Sequence, residues 1–164
     1  MTTPPSEPLG AAPRNETIYA TPSDCELVIT RTFNAPRKLV WAAFTDPKHL
    51  PNWQPSGATM PVCEIDLRPG GTWHYVYRNG QGREFDVIGT YREVDPPKRF
   101  VQVMDKNGEE NMTTTTFTEE HGRTTVTVAN RYASIAAREQ ALKYAKFGTG
   151  SSYERLDAYL TSMR

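Results

Sequence analysis

The sequence predicts an α+β fold in which a seven-stranded antiparallel sheet curves around a long C-terminal helix. Between residues 62 and 132, short β-prone runs alternate with tight-turn signals. These signals are Asn79-Gly80, Asn107-Gly108 and His121-Gly122, with a further reversal at Asp95-Pro96-Pro97. Asn and Gly tolerate the positive φ angles of two-residue hairpin turns, so successive hairpins give a meander. Helix-like stretches flank the meander, and a sheet of this size needs one of them to cover a face.

The first 24 residues are predicted to form a disordered tail, followed by one domain over residues 25–164. The tail is rich in Pro, Thr, Ser and Ala, and it offers little apolar surface to offset the entropy of ordering. An alternative use of such a segment is docking to a partner. The tail also lacks the basic start and apolar stretch of a secretory signal.

The domain is predicted to begin with one strand and two short helices. The segment Glu26–Phe33 alternates apolar and polar residues, as a strand with one covered face does. A helix then starts with Asn34 or Ala35 as its N-cap and with Pro36 in the first turn, where the missing N–H costs nothing. A second helix follows residue 46 and ends early, because the Pro51 ring would clash with a preceding carbonyl.

Six further strands and the C-terminal helix complete the predicted fold. The approximate strand spans are 62–66, 72–77, 83–94, 99–104, 112–118 and 124–132. An Ala-rich helical segment then runs to about Lys146, and Gly148-Thr149-Gly150 is expected to break it as a hinge. The last helix restarts at Ser151 or Ser152, with its apolar residues spaced for one face.

Composition excludes several classes of function. Lys plus Arg and Asp plus Glu both number 19, so the formal charge is zero and no basic excess indicates nucleic-acid binding. No apolar run is long enough for a membrane-spanning helix. Cys25 and Cys63 form no metal or redox motif, which is typical of a cytosolic protein. His49, His74 and His121 are scattered, so neither a metal nor another cofactor is expected.

Familiar catalytic motifs are also missing from the sequence. Gly148-Thr149-Gly150-Ser151 follows no predicted strand, so it is neither a nucleophile elbow nor a phosphate loop. The segment from Asp66 to Gly71 is interpreted as a tight turn with a local Asp66–Arg68 ion pair. A paired-carboxylate site stays open as an alternative, although charged strand residues usually face water. The strand carboxylates are Glu64, Glu84, Asp86 and Glu93.

Aromatic residues on the second predicted strand suggest a pocket. The strand period of two places Trp73, Tyr75 and Tyr77 on one face, which we expect to point toward the C-terminal helix. Two interpretations stay open: the rings fill the core, or their polar groups line a ligand site. The inward position expected for Asn130 leaves the same choice, because a buried amide needs hydrogen-bond partners from the protein or from a ligand.

Several segments together resemble a known family. They are RTFNAPRKLVWAAFTDPKHLPNW, CEIDLRPGGTWHY, GTYREVDPPKRF, TTVTVANRY and GSSYERLDAYL. The chain is similar, from about residue 26 to residue 160, to proteins homologous to the C-terminal domain of the Hsp90 ATPase activator. This resemblance implies the helix-grip fold of the START-like superfamily, with space between the sheet and the last helix. Fold alone does not determine function.

The sequence departs from the family pattern where the space is expected. Ser151 follows Gly150, where relatives often have a large aromatic residue, and Thr113 and Thr115 replace inward aliphatic residues. Both changes are expected to make a roomier, more polar cavity. The residues predicted to line it are Trp41, Trp53, Trp73, Tyr75, Tyr77, Thr113, Thr115, Phe117, Asn130 and Tyr153.

Three functional hypotheses follow. The first is a soluble cytoplasmic protein that binds a small, partly apolar or lipid-like molecule between sheet and helix. The second is an enzyme resembling START-like cyclases or dehydratases, in which Tyr75, Asn130 or an inward carboxylate transfers protons. The third is an interaction protein that stimulates a chaperone ATPase, as the family name suggests.

Overall fold

One eight-stranded antiparallel sheet and three α-helices make up the computed structural model, which describes residues 16–55, 57–106 and 108–163. The strands are β1 Ile18–Ala20, β2 Glu26–Phe33, β3 Ala58–Ile65, β4 Thr72–Asn79, β5 Glu84–Asp95, β6 Arg99–Lys106, β7 Glu109–Glu120 and β8 Arg123–Arg131. Their order across the sheet is β1-β2-β8-β7-β6-β5-β4-β3. The helices are α1 Arg37–Thr45, α2 Ile135–Tyr144 and α3 Gly150–Ser162. The predicted α+β class and antiparallel sheet are therefore confirmed.

The predicted number of strands was wrong by one. Strand β1 pairs with β2, with Tyr19 opposite Ile29, inside the segment expected to be a tail. The Tyr19 hydroxyl also donates a hydrogen bond to the carbonyl of Ala145, 3.1 Å away. Three residues are too short for a recognisable alternation, and this strand depends on such tertiary partners. Residues 1–15, where most of the predicted tail falls, lie outside the described residues.

The helix starts and stops differ from those expected. Pro36 itself is the N-cap of α1, and its carbonyl accepts hydrogen bonds from the N–H groups of Leu39 and Val40. The predicted second helix is only a 3₁₀ turn, Leu50–Asn52, because it contains Pro51. At the other end of the chain, the predicted glycine break does not occur.

A π-helical turn, Ala145–Thr149, joins α2 to α3 instead. Gly150 keeps helical dihedral angles, with φ −58° and ψ −43°, so the backbone continues through both glycines. The extra residue in a π turn rotates the directions of the side chains that follow it without breaking the helix. The two predicted helical segments are therefore present, but a π-helical turn joins them where a break was expected.

The hairpin turns follow the sequence signals with one exception. His121 and Gly122 have φ 54° and 75° and join β7 to β8 as the expected two-residue turn. Gly108 has φ 80° in the turn between β6 and β7, whose other residue lies outside the described part. The Asn79 turn is wider than predicted, because the Asn79 side chain accepts hydrogen bonds from the N–H groups of Gln81 and Arg83.

One end of the interface between sheet and helices is filled by aromatic rings, and we call it the packed end. Phe117 on β7, 1 % exposed, has its ring centroid 5.2 Å from that of Trp41 and 5.4 Å from that of Phe44. Leu156 and Leu160 of α3 are buried in the same core. Among the described residues, no helix has the length and apolar character needed to cross a membrane.

Candidate functional site

The other end of this interface holds a cavity of about 1120 Å³ that is partly open to solvent, and we call it the hollow end. Its floor is formed by strands β2 to β8, and its roof by α2, the π-helical turn and the start of α3. The helix face above it carries small residues, namely Ala137, Ala141 and Gly148. Short side chains on the roof cannot reach the sheet, so open space remains between the two layers.

Seven of the ten residues predicted to line a cavity lie on its wall. They are Trp53, Tyr75, Tyr77, Thr113, Thr115, Asn130 and Tyr153. Each strand member comes from the inward face given by the two-residue period. Trp53 is nevertheless nearly buried, and its indole N–H donates a 2.9 Å hydrogen bond to the carbonyl of Ala43. Its position is therefore fixed by α1 before any ligand arrives.

The other three predicted residues belong to the packed core instead of the wall. Trp41 and Phe117 pack edge to face, and the centroid of Trp41 also lies 5.6 Å from that of Phe100. Trp73 lies over Gly89, where an added Cβ would be only 2.4 Å from the indole ring. The ring partners of Trp41 and Phe117, and the close approach of Trp73 to Gly89, account for this burial. Alternation alone does not distinguish core rings from wall rings.

A row of uncharged polar side chains crosses the floor of the cavity. Asn130 on β8 pairs in register with Thr113 on β7, which pairs with Gln102 on β6. The Thr113 hydroxyl donates to the Asn130 side-chain oxygen at 2.9 Å, and the Asn130 amide donates to the Leu27 carbonyl at 3.3 Å. Gln102 donates to the Tyr75 hydroxyl at 3.5 Å, the outer limit of a hydrogen bond. We call Asn130, Thr113, Gln102 and Tyr75 the polar row.

Gln102 was missed by sequence reasoning, as was Gln54, which accepts a 2.9 Å hydrogen bond from the Tyr77 hydroxyl. The signal for Gln102 was present, since the strand period of two places it on the same face of β6 as Phe100 and Met104. Val101 and Val103 on the opposite face hide that alternation, because the strand reads as apolar throughout. Gln54 follows the 3₁₀ turn, where no periodic pattern applies.

The phenols of the cavity keep their protons well above neutral pH. Burial raises the pKa of Tyr77 to about 12, against the opposing effect of its hydrogen bond to Gln54. Burial likewise raises the pKa of Tyr75 well above its usual value, and that of Cys63, its neighbour on β3, to about 11. These groups are therefore neutral hydrogen-bonding groups at pH 7.

The cavity wall is almost free of formal charge. Among its described residues, the one side chain that is charged at neutral pH is Glu109, an exposed residue at the start of β7. The buried cation Arg31 lies outside the wall and is paired with Asp157 of α3. Within the described ranges, no three His, Cys, Asp or Glu side chains are arranged to hold a metal ion.

The glycine-rich turn before β4 has the structural role predicted for it. Arg68 donates from Nε to the carboxylate of Asp66 at 2.9 Å, as expected of a local ion pair. A Cβ on Gly71 would lie 2.1 Å from the carbonyl oxygen of Asp66, so the turn requires glycine there. His74 lies between Glu64 and Asp86, with nitrogen–oxygen distances of 3.4 and 3.3 Å. Neither cluster lines the cavity.

Comparison with known proteins identifies the family. The model of the family described as Activator of Hsp90 ATPase homolog 1-like protein matches residues 34–161. A crystal structure of a Rhodobacter sphaeroides protein is 26 % identical, covers 91 % of this chain and 100 % of its own, and has a TM-score of 0.81. One from Mycobacterium smegmatis is 28 % identical, covers 93 % and 100 %, and has a TM-score of 0.76. The resemblance seen in the sequence is therefore confirmed.

A third structure carries the family name in its own description. This AHSA1 protein from Silicibacter pomeroyi is 24 % identical, covers 85 % of this chain and 99 % of its own, and has a TM-score of 0.68. At that identity the likeness shows the shared fold alone. No functionally curated protein matches the sequence.

Proposed function

We propose that this chain, which belongs to the Activator of Hsp90 ATPase homolog 1-like protein family, binds a small, partly apolar molecule in the cavity of its hollow end. The single observation that supports this function is the cavity itself. Its volume of about 1120 Å³ lies just above the usual range of small-molecule sites, which is about 300–1,000 Å³. Its wall combines apolar surface with a few oriented polar groups, as ligand sites do.

The seven predicted wall residues are the proposed contacts. Trp53 and Tyr153 offer ring surface where the cavity meets the packed end, with their centroids 6.1 Å apart. Tyr77 and the polar row offer hydrogen bonds along the floor. Exposed Phe85 and Tyr144 lie at the rim, where apolar side chains favour entry of an apolar molecule. A cytoplasmic location remains part of this proposal.

A dye that fluoresces in apolar surroundings tests binding directly. Titration with N-phenyl-1-naphthylamine should give a saturable rise in emission. Ala141→Trp, which fills the roof of the cavity from α2, should weaken the apparent affinity at least fivefold. Ala136→Trp is the matched control, because Ala136 is on the same helix but exposed. Unchanged binding in Ala141→Trp, with intact circular dichroism, would contradict the proposed site.

Binding is proposed in preference to the enzyme hypothesis because of the wall chemistry. That hypothesis predicts a cavity group with a perturbed pKa, and the phenols of Tyr75 and Tyr77 do have raised values. A protonated phenol can donate a proton but cannot accept one, and among the described wall residues the one carboxylate is the exposed Glu109, so the wall lacks a buried general base. The chaperone hypothesis stays a prediction, which an ATPase assay with the chaperone of the same organism would test.

A further inference from the structure

We infer that the cavity selects uncharged molecules carrying a hydroxyl or carbonyl group that pairs with Gln102, and that it excludes carboxylates and sulfonates of the same shape. This inference rests on the proposed binding function and names the chemical class of its ligand. Two independent features of the wall support it, its lack of cations and the incomplete pairing of the Gln102 amide.

The first feature concerns the cost of burying an anion. A charged group that leaves water needs an opposite charge or several strong hydrogen bonds to compensate its lost hydration. No Lys, Arg or His stands among the wall residues that the structure describes, and the charge at the rim, Glu109, has the same sign as the anion. Arg31 is committed to Asp157 and donates a 2.8 Å hydrogen bond to Thr17.

The second feature concerns which polar groups are available. In the polar row, the Asn130 amide is engaged on both sides, by Thr113 and by the Leu27 carbonyl. Among the described residues, the side chain of Gln102 makes one hydrogen bond, the long contact to Tyr75. A primary amide has two donor hydrogens and an acceptor oxygen, so Gln102 keeps capacity for a ligand hydroxyl or carbonyl. The buried phenols nearby stay neutral, so they add no charge to attract or repel a ligand.

A matched pair of dyes tests the charge preference without any substitution. N-phenyl-1-naphthylamine is neutral, and 8-anilinonaphthalene-1-sulfonate adds one sulfonate to the same skeleton. At pH 7 the neutral dye should bind at least tenfold more tightly. Equal or tighter binding of the sulfonate would overturn the charge preference and leave the proposed binding function standing. Failure of both dyes to bind would overturn the inference and the proposed function together.

A charge placed at Gln102 tests its position in the site. Gln102→Lys supplies the missing cation, so the preference for the neutral dye should fall at least fivefold, through tighter binding of the sulfonate. Gln81→Lys is the matched control, because Gln81 is exposed in the turn between β4 and β5. An unchanged dye ratio in folded Gln102→Lys would overturn the role of Gln102.

The hydrogen bond to Gln102 needs its own measurement, which also covers a Gln102→Lys protein that does not fold. Gln102→Met keeps about the length of the side chain and removes its amide. In competition against the neutral dye, 2-naphthol should displace the dye from this variant with at least threefold lower apparent affinity than from the parent protein. Naphthalene should compete equally well with both. Equal loss for both competitors would overturn the assigned hydrogen bond.

Discussion

The packed end and the hollow end share one sheet, yet inward side chains of the same strand have different surroundings at the two ends. Along the inward face of β7, Phe117 is buried among rings, whereas Thr115 and Thr113 face the cavity. The helices show the same gradient, since α3 contributes large apolar residues to the core and α2 small ones to the roof. Side-chain size therefore distinguishes the two ends of the interface. Large side chains form a close-packed core at one end, and small ones leave a cavity at the other.

Truncation of one large side chain at each end should show the largest difference. Phe117→Ala removes a ring from a close-packed cluster, which should lower the free energy of unfolding by about 4 kcal/mol. Met104→Ala trims a partly buried residue of the cavity wall, so we expect a loss of about 1 kcal/mol. Urea unfolding monitored by circular dichroism gives both values. Similar losses at the two sites would show that the hollow end is packed as well.

Loss of one partner should likewise have different effects in a buried and in an exposed ion pair. The side chain of Arg31 is 3 % exposed, and Asp157→Ala leaves its guanidinium without the carboxylate that it pairs with. We expect a loss of about 3 kcal/mol, since a buried charge without compensation is strongly destabilising. The matched control is Asp66→Ala, because its ion pair with Arg68 is exposed on both sides and should contribute little. Thermal and urea unfolding report both effects.

A small loss in Asp157→Ala would have a specific meaning for this comparison. It would show that water reaches the Arg31 guanidinium, and hence that the interface beside β2 is more open than its burial indicates. Asp157→Asn separates the contribution of the charge from that of the hydrogen bond, because it keeps a hydrogen-bond acceptor and removes only the charge. Recovery of most of the stability in that variant would assign the effect to hydrogen bonding.

Much of the fold was predictable because hairpin signals and strand alternation are local. The inward direction of Tyr75 and Asn130 followed from the same period of two. Strand β1 and the π-helical turn escaped prediction, since both depend on tertiary contacts such as that between Tyr19 and Ala145. The division of rings between core and wall also escaped, because Trp73 and Tyr75 share one strand face and differ only in their neighbours.

The pH dependence of stability probes the wall phenols of the hollow end. Burial raises the folded-state pKa of Tyr77 to about 12, above its usual value of 10.0. Between these values the unfolded chain loses the proton and the folded chain keeps it, so the unfolded state binds fewer protons and stability falls as pH rises. Each such tyrosine contributes a slope of about 1.4 kcal/mol per pH unit in this range. The contribution of Tyr77 to stability should therefore be constant below pH 10.

Melting temperatures between pH 9 and pH 12, together with phenolate absorbance, measure this effect. Tyr77→Phe should make the alkaline loss of stability less steep. Tyr144→Phe is the control, because Tyr144 is 75 % exposed and the substitution removes a phenol that is not buried. Phenolate absorbance that follows pH without unfolding would show that water enters the cavity freely and that its phenols are not desolvated.

The smallest expected effect is a gain in stability from filling the roof by one methyl group. Gly148 has no atom within 4 Å of an added Cβ and keeps negative φ, so Gly148→Ala should stabilise the helix by about 0.5–1 kcal/mol. Gly150→Ala is the matched control, because its Cβ would approach the Tyr19 hydroxyl to 3.2 Å and crowd β1. Its gain should be smaller or absent in urea unfolding. A destabilised Gly148→Ala protein would mean that side chains already occupy this space, and the contrast between the two ends would then lie in polarity alone.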